Sequence, residues 1–530
     1  MKVTNKYLLF ASAALILASC DLDKLPDGQY VTEDQLDETN DKRPNMVISG
    51  VNAMAARLNF YGTISDDANT YHSDFGVPAV ALQLESSGQD FVATTSGYNW
   101  FNRAQNYADR DYARKSGAEY IWKIFYNHML AANKVLQSAP KGSEESDLKI
   151  YRGQALAARA YDYLNLVQSF QFTYAGHENA LAVPIVLEDM TEEEKQNNPR
   201  ATVQQVYDQI MTDLNESIEL LESEAYDNGN NKDKIDVYVA YGLRARANLL
   251  MQKWADAARD AEKAIAGGTP QTLQEVSTPT FNSASASSWL WGVMISPDND
   301  VVLTGIINWP SHLCSLTGNG YTTLTGSFRY VSSALYDKIP ETDIRKQWFV
   351  SPEGTSTLVD NEKVGNKSVI DYFGLSKYTN VKFGAYQNVF GNTTNSSDWP
   401  LMRVEEMYLI KAEGEAMSGN LAGGKATLES FVQTYRDPSF TSKASSPQEF
   451  QDEVWLQRRS ELWGEGFALF DLLRLKKPVV RKGTNYAASV QFNLEPESQI
   501  LIYRIPQCEM QTNTGISDTD NNPAAPQPTL

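Results

Sequence analysis

The sequence predicts a mainly α-helical protein: a tetratricopeptide-like superhelix of helix pairs, with an inserted irregular, loop-rich lobe containing short strands. Three observations predict it. Several segments repeat apolar residues at helical period, and paired segments set small alanines against larger side chains, so that neighbouring helices can approach closely. Between Thr269 and Pro400 the helical period gives way to Ser, Thr, Gly and Asn interleaved with aromatics. At 530 residues the chain exceeds what one core usually serves, so two lobes or an extended array are expected.

The N-terminus comes first. Lys2 and Lys6 give a positive start, and Leu8 to Ala18 form an apolar run that stops at Cys20. The run is the length of a signal-peptide core and too short to span a bilayer, which takes about 20 apolar residues. Leu17-Ala18-Ser19-Cys20 resembles the lipobox of bacterial lipoproteins, in which the cysteine is lipidated and the preceding peptide removed. Residues 1–19 are therefore expected to be a lipoprotein signal peptide, with Cys20 as the lipidation site. Residues 20–44, acidic and polar, are expected to be a tether. Several acyl chains, at about 0.8 kcal/mol per buried CH₂, hold a membrane far more firmly than one.

Residues 45–268 are read as the first part of the helical scaffold. In IYRGQALAARAYDYLNLVQSF, residues Leu156, Ala160, Tyr163, Val167 and Phe170 step by four and three, which keeps them on one helix face. GAEYIWKIFYNHMLAANKVLQ and TVQQVYDQIMTDLNESIELLE read as flanking helices. DVYVAYGLRARANLLMQKWADAARDAEKAI holds a pair, striped by Leu243, Ala247 and Leu250 and then by Ala257, Ala261 and Ala264, with Trp254 near the turn. Residues 269–400 are the loop-rich lobe, expected to bind the ligand. In it Trp289 and Trp291 alternate at strand period, so one of the two should face inward. Residues 401–476 return to scaffold helices, and 477–530 are expected to pack on them, with a polar tail from Thr512 lying on the surface.

Charge narrows the function classes. Forty-six basic against sixty-six acidic residues give a net charge of −20, a sign that repels phosphate backbones, so no nucleic-acid partner is expected. Apart from Cys20, only Cys314 and Cys508 remain, too few for a disulfide framework or a cysteine-based zinc site. His72, His128, His177 and His312 show no metal-ligand spacing, and neither metal nor cofactor is expected. Gly419 to Lys425, GNLAGGK, has the glycine and lysine spacing of a phosphate-binding loop, but Ala426 stands where a hydroxyl residue is needed and a helix precedes it. A turn between paired helices explains it better. No GxSxG elbow is present, and no enzyme activity is expected.

Aromatic residues set among short polar side chains suggest a saccharide site, because sugar rings present C–H faces flanked by hydroxyls. Tyr71 in NTYHSDFG, Tyr98 and Trp100 in GYNWFN, Trp309 in INWPSH and Tyr321 in GNGYTT have this setting. Tyr98, Trp100 and Trp309 are expected to supply stacking faces, with Asp74 and Asn99 hydrogen-bonding ligand hydroxyls.

Motifs along the chain resemble those of the SusD/RagB-like nutrient-binding outer-membrane lipoproteins of Gram-negative bacteria. They are the helix with Trp122, Tyr126 and Asn133, then PRATVQQVYDQIMTDLNESI, LMRVEEMYLIKAEGEA, RRSELWGEGFALFDLLR and YRIPQCEMQTN. Gln457 and Ala468 depart from the family pattern, where Glu and Arg are common. Arg458, Arg459, Glu461, Glu465, Asp471 and Arg474 are expected to be buried scaffold ion pairs. The resemblance implies capture of an oligosaccharide, or in some members a peptide, on the outer face of the outer membrane. It also implies a partner, a TonB-dependent SusC-like transporter barrel that the protein caps as a lid. It transfers no ligand residue to this chain. A peptide-binding member of the same family and a glycan-cleaving surface lipoprotein stay open as alternatives.

Overall fold

The computed structural model describes residues 47–66, 69–95, 97–111 and 113–529; the expected signal peptide, Cys20 and the tether lie outside them. Among the described residues no helix is long and apolar enough to cross a membrane.

The first half is helical: α1 (Val47–Arg57), α2 (Val77–Ser86), a short strand β1 (Phe91–Ala93), α3 (Gly117–Ser138), α4 (Ser146–Phe170), α5 (Val203–Ser223), α6 (Val237–Leu250) and α7 (Trp254–Ile265). Side-chain caps fix where these helices start. Ser116 accepts the Glu119 N–H ahead of α3, Thr202 and Gln205 form a capping box on α5, and Asp236 accepts the Val239 N–H on α6. The long α4 is buried on most of its circumference, which follows from its position between α3 and α5. Gly153 makes that approach possible, since a Cβ there would lie 2.9 Å from Leu221 Cγ. All six residues of the Leu243–Ala264 stripes are buried.

The lobe supplies β2 (Trp289–Val293), the short helices α8 (Trp309–Leu313) and α9 (Tyr321–Thr325), β3 (Arg329–Val331) and β4 (Trp399–Arg403). Its strands form antiparallel pairs, β1 with β3 (Phe91 opposite Val331, Ala93 opposite Arg329) and β2 with β4 (Trp289 opposite Arg403, Val293 opposite Trp399). The expectation for the two strand tryptophans is corrected. Trp289 and Trp291, two residues apart, and all the other residues of β2 are buried, because the ribbon is covered on both faces.

Four further helices complete the scaffold: α10 (Val404–Met417), α11 (Leu421–Tyr435), α12 (Pro447–Glu461) and α13 (Ala468–Arg474). GNLAGGK is the α10–α11 turn. Gly419 takes φ +102°, Asn420 caps α11 by accepting the Gly423 N–H, and Gly424 sits where a Cβ would lie 2.6 Å from the Ala412 carbonyl oxygen. Residues from both the helices and the lobe share one hydrophobic core, and a smaller one fills the space between α10, α11 and α12.

Buried ion pairs join lobe to scaffold. Glu461 accepts from Arg436 (2.8 and 2.9 Å) and Arg403 (3.1 Å), and Glu465 from Lys382 (2.6 Å) and Arg403 (2.9 Å). Asp471 bridges Arg458 (2.8 Å) and Arg474 (2.7 Å), and Arg459 pairs with Asp90. Gln457 joins the network by accepting from Arg345. The C-terminal tail is tied in rather than simply laid over the surface: Asn513 Nδ2 donates to the Asn198 carbonyl (2.7 Å), and Asn522 Nδ2 to those of Phe170 (2.6 Å) and Tyr503 (2.7 Å).

Candidate functional site

The β1–β3 ribbon brings two distant loops together. The chain leaving β1 carries Tyr98 and Trp100, and α9, which leads toward β3, begins at Tyr321. The Tyr98 and Tyr321 rings meet with centroids 6.2 Å apart, and Tyr321 meets Trp100 edge-on at 6.3 Å. His72 completes the cluster, stacked on Trp100 at 4.7 Å with the planes 10° apart. Tyr98 is 56% exposed, Trp100 half-buried, and Tyr321 almost fully buried beneath them.

Hydrogen bonds hold the rings in place. The Tyr321 hydroxyl donates to His72 Nδ1 (2.5 Å), and His312 Nε2–H donates to the His72 carbonyl (2.8 Å). His312 in turn stacks on Tyr321, centroids 4.9 Å apart. Partial burial lowers the pKa of His72, which keeps Nδ1 available as an acceptor. Burial, and secondly the Arg329 guanidinium, holds His312 well below the ordinary histidine value, and burial raises the Tyr321 phenol. Both histidines are thus biased toward the neutral form.

A cavity opens beside it. About 610 Å³, the part open to solvent included, lies between walls that include Tyr71, Ser73, Gln83, Trp100, Arg103 and Lys115. Tyr71 is half-buried, its ring 5.2 Å from Lys115 Nζ, and Lys115 pairs with Asp66 (2.6 Å). Flat rings next to hydroxyl, amide and cationic groups can stack on a ligand and hydrogen-bond it. Among the described residues no group of His, Cys, Asp and Glu is placed to hold a metal ion.

The structure thus brings together four of the seven residues singled out in the sequence: Tyr71, Tyr98, Trp100 and Tyr321. The other three need correction. Trp309 is 1% exposed, donates from Nε1 to the Ser397 carbonyl (2.8 Å) and packs edge-on against Trp399 and Phe383, so it has no face to offer a ligand. Asp74 is fully buried, its carboxylate occupied by the backbone N–H groups of Thr63, Ile64 and Ser65 at 2.8–3.1 Å. Asn99 is buried too: its Nδ2 donates to the Thr94 carbonyl (2.7 Å) and Gln105 Oε1 (3.1 Å), and its Oδ1 accepts the Phe101 N–H (3.2 Å). Asp74 and Asn99 therefore shape the loops that carry Tyr71, Tyr98 and Trp100, and do not face a ligand. His72 and His312 escaped the sequence reading, which weighed histidines only by metal-ligand spacing; the signal for His72 was its place directly after Tyr71.

Comparison with known families agrees with this architecture. A family described as "Starch-binding associating with outer membrane" (SusD-like) matches residues 34–249, and one described as "SusD family" matches residues 331–523. The chain belongs to the SusD family. No curated protein sequence matches this SusD-family chain. Solved structures do. A SusD-like carbohydrate binding protein from Bacteroides vulgatus ATCC 8482 superimposes with a TM-score of 0.73 at 23% identity, over 92% of this chain and 98% of that one. A SusD superfamily protein from Bacteroides thetaiotaomicron VPI-5482 gives 0.71 at 19% identity, over 91% and 100%. A laminarin binding SusD-like protein gives 0.60 at 19% identity, over 91% and 99%. These relatives share the mainly helical fold expected from the sequence.

Proposed function

We propose that this SusD-family protein captures oligosaccharides at the outer surface of the outer membrane, anchored through lipid on Cys20, and passes them to a SusC-like, TonB-dependent transporter barrel that it covers as a lid. The observation that carries the reading is the exposed Tyr98 ring against Tyr321, which also meets Trp100, a wall of the cavity that holds hydroxyl, amide and cationic side chains. Aromatic platforms beside polar groups suit the alternating C–H faces and hydroxyls of a sugar chain. Two structural relatives named for carbohydrate and laminarin binding support the substrate class. Capture needs no bond making, and the protein acts as a binder.

Calorimetry with a soluble Cys20→Ala chain tests this, against a panel of oligosaccharides and a mixed peptide pool. The expected result is saturable binding of at least one glycan, lost when Tyr98, Trp100 and Tyr321 are all replaced by alanine. Binding of peptides with no glycan bound overturns the carbohydrate reading, and glycan binding unchanged in the triple variant overturns the site. New reducing ends appearing in the glycan would make the protein an enzyme.

A further inference from the structure

A second cleft lies on the helical side of the molecule, with none of the aromatic cluster in its lining. It is bounded by α2, α4, α6, β4 and α13, with about 830 Å³ between its walls, the part open to solvent included. Three leucines, Leu84, Leu164 and Leu249, and three rings, Tyr161, Phe467 and Phe470, give it apolar walls. Phe467 and Phe470 are half-exposed, while Leu84, Leu164 and Leu249 are buried.

The charges around this cleft are compensated in pairs. Arg246 is held by Glu406 (2.6 and 2.8 Å), Arg474 by Glu413 (2.7 and 2.9 Å) and Asp471 (2.7 Å), and Glu465 by Lys382 and Arg403. Arg458 balances Asp471 through Nε (2.8 Å), yet its Nη1, in a residue only 4% exposed, is buried without a protein acceptor. A buried guanidinium donor left unpaired is costly, and it cannot be relieved by losing the proton. An ionic ligand would upset the pairing, whereas a neutral one with a single acceptor would complete it.

We propose that this cleft is a second binding site, for a small neutral molecule with a flat apolar body and one strong hydrogen-bond acceptor such as a carbonyl oxygen. The rings of Tyr161, Phe467 and Phe470 enclose the body, and Arg458 Nη1 donates to the acceptor. The site stands independently of the glycan reading, because no residue of the aromatic cluster or its cavity lines it.

The probe is prodan, a neutral naphthalene with one ketone oxygen, whose emission moves to the blue on leaving water. Prodan is expected to bind saturably at one site per chain, and its carbonyl-free analogue, 2-dimethylamino-6-propylnaphthalene, about ten-fold or more weakly despite being more apolar, since it lacks the acceptor for Arg458 Nη1. Leu164→Trp, which fills the cleft, should abolish binding, and Phe470→Ala, which strips one wall near the surface, should weaken it several-fold. Circular dichroism and glycan binding confirm that each variant is folded. Non-saturable prodan binding, equal affinity for the two probes, or unchanged binding in a folded Leu164→Trp or Phe470→Ala chain would each overturn the site. The two-probe comparison needs no substitution, so it decides even where a variant fails to fold.

Discussion

His72 lies flat against the indole of Trp100, ring centroids 4.7 Å apart and planes within 10°, while its Nδ1 accepts the hydroxyl of Tyr321. One imidazole thereby sets the angle between two rings that come from loops more than two hundred residues apart. Replacing His72 by alanine is expected to weaken glycan binding about ten-fold in calorimetry, although His72 need not touch the sugar. His72→Gln, which keeps an acceptor but loses the stacking ring, should lie between the variant and the wild type.

Tyr98 and Trp309 should separate binding from stability. With 56% of Tyr98 exposed, Tyr98→Ala is expected to change stability by no more than about 0.5 kcal/mol while reducing glycan affinity. Trp309→Ala opens a void among Trp399, Phe383 and the core, and is expected to cost about 3–5 kcal/mol in thermal or denaturant unfolding. Its effect on affinity should be no larger than the loss of folded protein explains.

Glu85 gives stability a slope near neutral pH. Its Oε1 accepts the N–H groups of Gly466, Phe467 and Ala468, but complete burial, opposed by those bonds and reinforced by Asp90, pushes its pKa from 4.5 to about 7. The folded state thus binds this proton more tightly than the unfolded one, so stability rises as pH falls from above 7 toward 4.5 and levels off below that. Glu85→Gln keeps the acceptor without the charge. It is expected to raise the melting temperature at pH 8, in proportion to about 3 kcal/mol, and to leave it unchanged near pH 4.5.

Glu461 works in the opposite sense. Burial alone would raise its pKa, but the guanidiniums of Arg436, Arg403 and Arg345 hold it far below the usual carboxylate range. Its contribution is present above about pH 4.5 and is lost as acid protonates it in the folded state. Glu461→Gln leaves three buried cations short of a partner and is expected to cost about 3–5 kcal/mol at pH 7, with a smaller difference from the wild type in strong acid.

Gly414 marks a close crossing of α10 and α7. A Cβ there would lie 2.6 Å from the Trp254 carbonyl oxygen and 3.0 Å from the Ala258 nitrogen, both backbone atoms that cannot step aside without moving α7. Gly414→Ala, ordinarily favourable inside a helix, is expected to destabilise by about 1–3 kcal/mol. A rise in melting temperature would refute the crossing.

The sequence carried the scaffold because its information is local. The four-and-three spacing from Leu156 to Phe170 and the alanine stripes of α6 and α7 leave one helical solution, and the turn at Gly419 announces itself by composition. The site was legible only in part. An aromatic ring set among short polar residues looks the same in sequence whether it faces solvent, as Tyr98 does, or the core, as Trp309 does; for Trp309 what decides is Trp399, ninety residues further on. Likewise an aspartate beside aromatics reads as a ligand group until three backbone N–H groups from Thr63 to Ser65 are seen to claim it. The strand tryptophans were misjudged because residues two apart share a strand face, and the cover on both faces of β2 comes from distant parts of the chain.

The β1–β3 ribbon is only three residues long on each strand, yet it is the common root of both ring-bearing loops. Lengthening or trimming the chain between Ala93 and Tyr98, or between Tyr321 and Arg329, would re-space the rings like a movable jaw and leave every helix crossing untouched. Selectivity in such a molecule can drift by insertion and deletion while the frame that must fold stays the same.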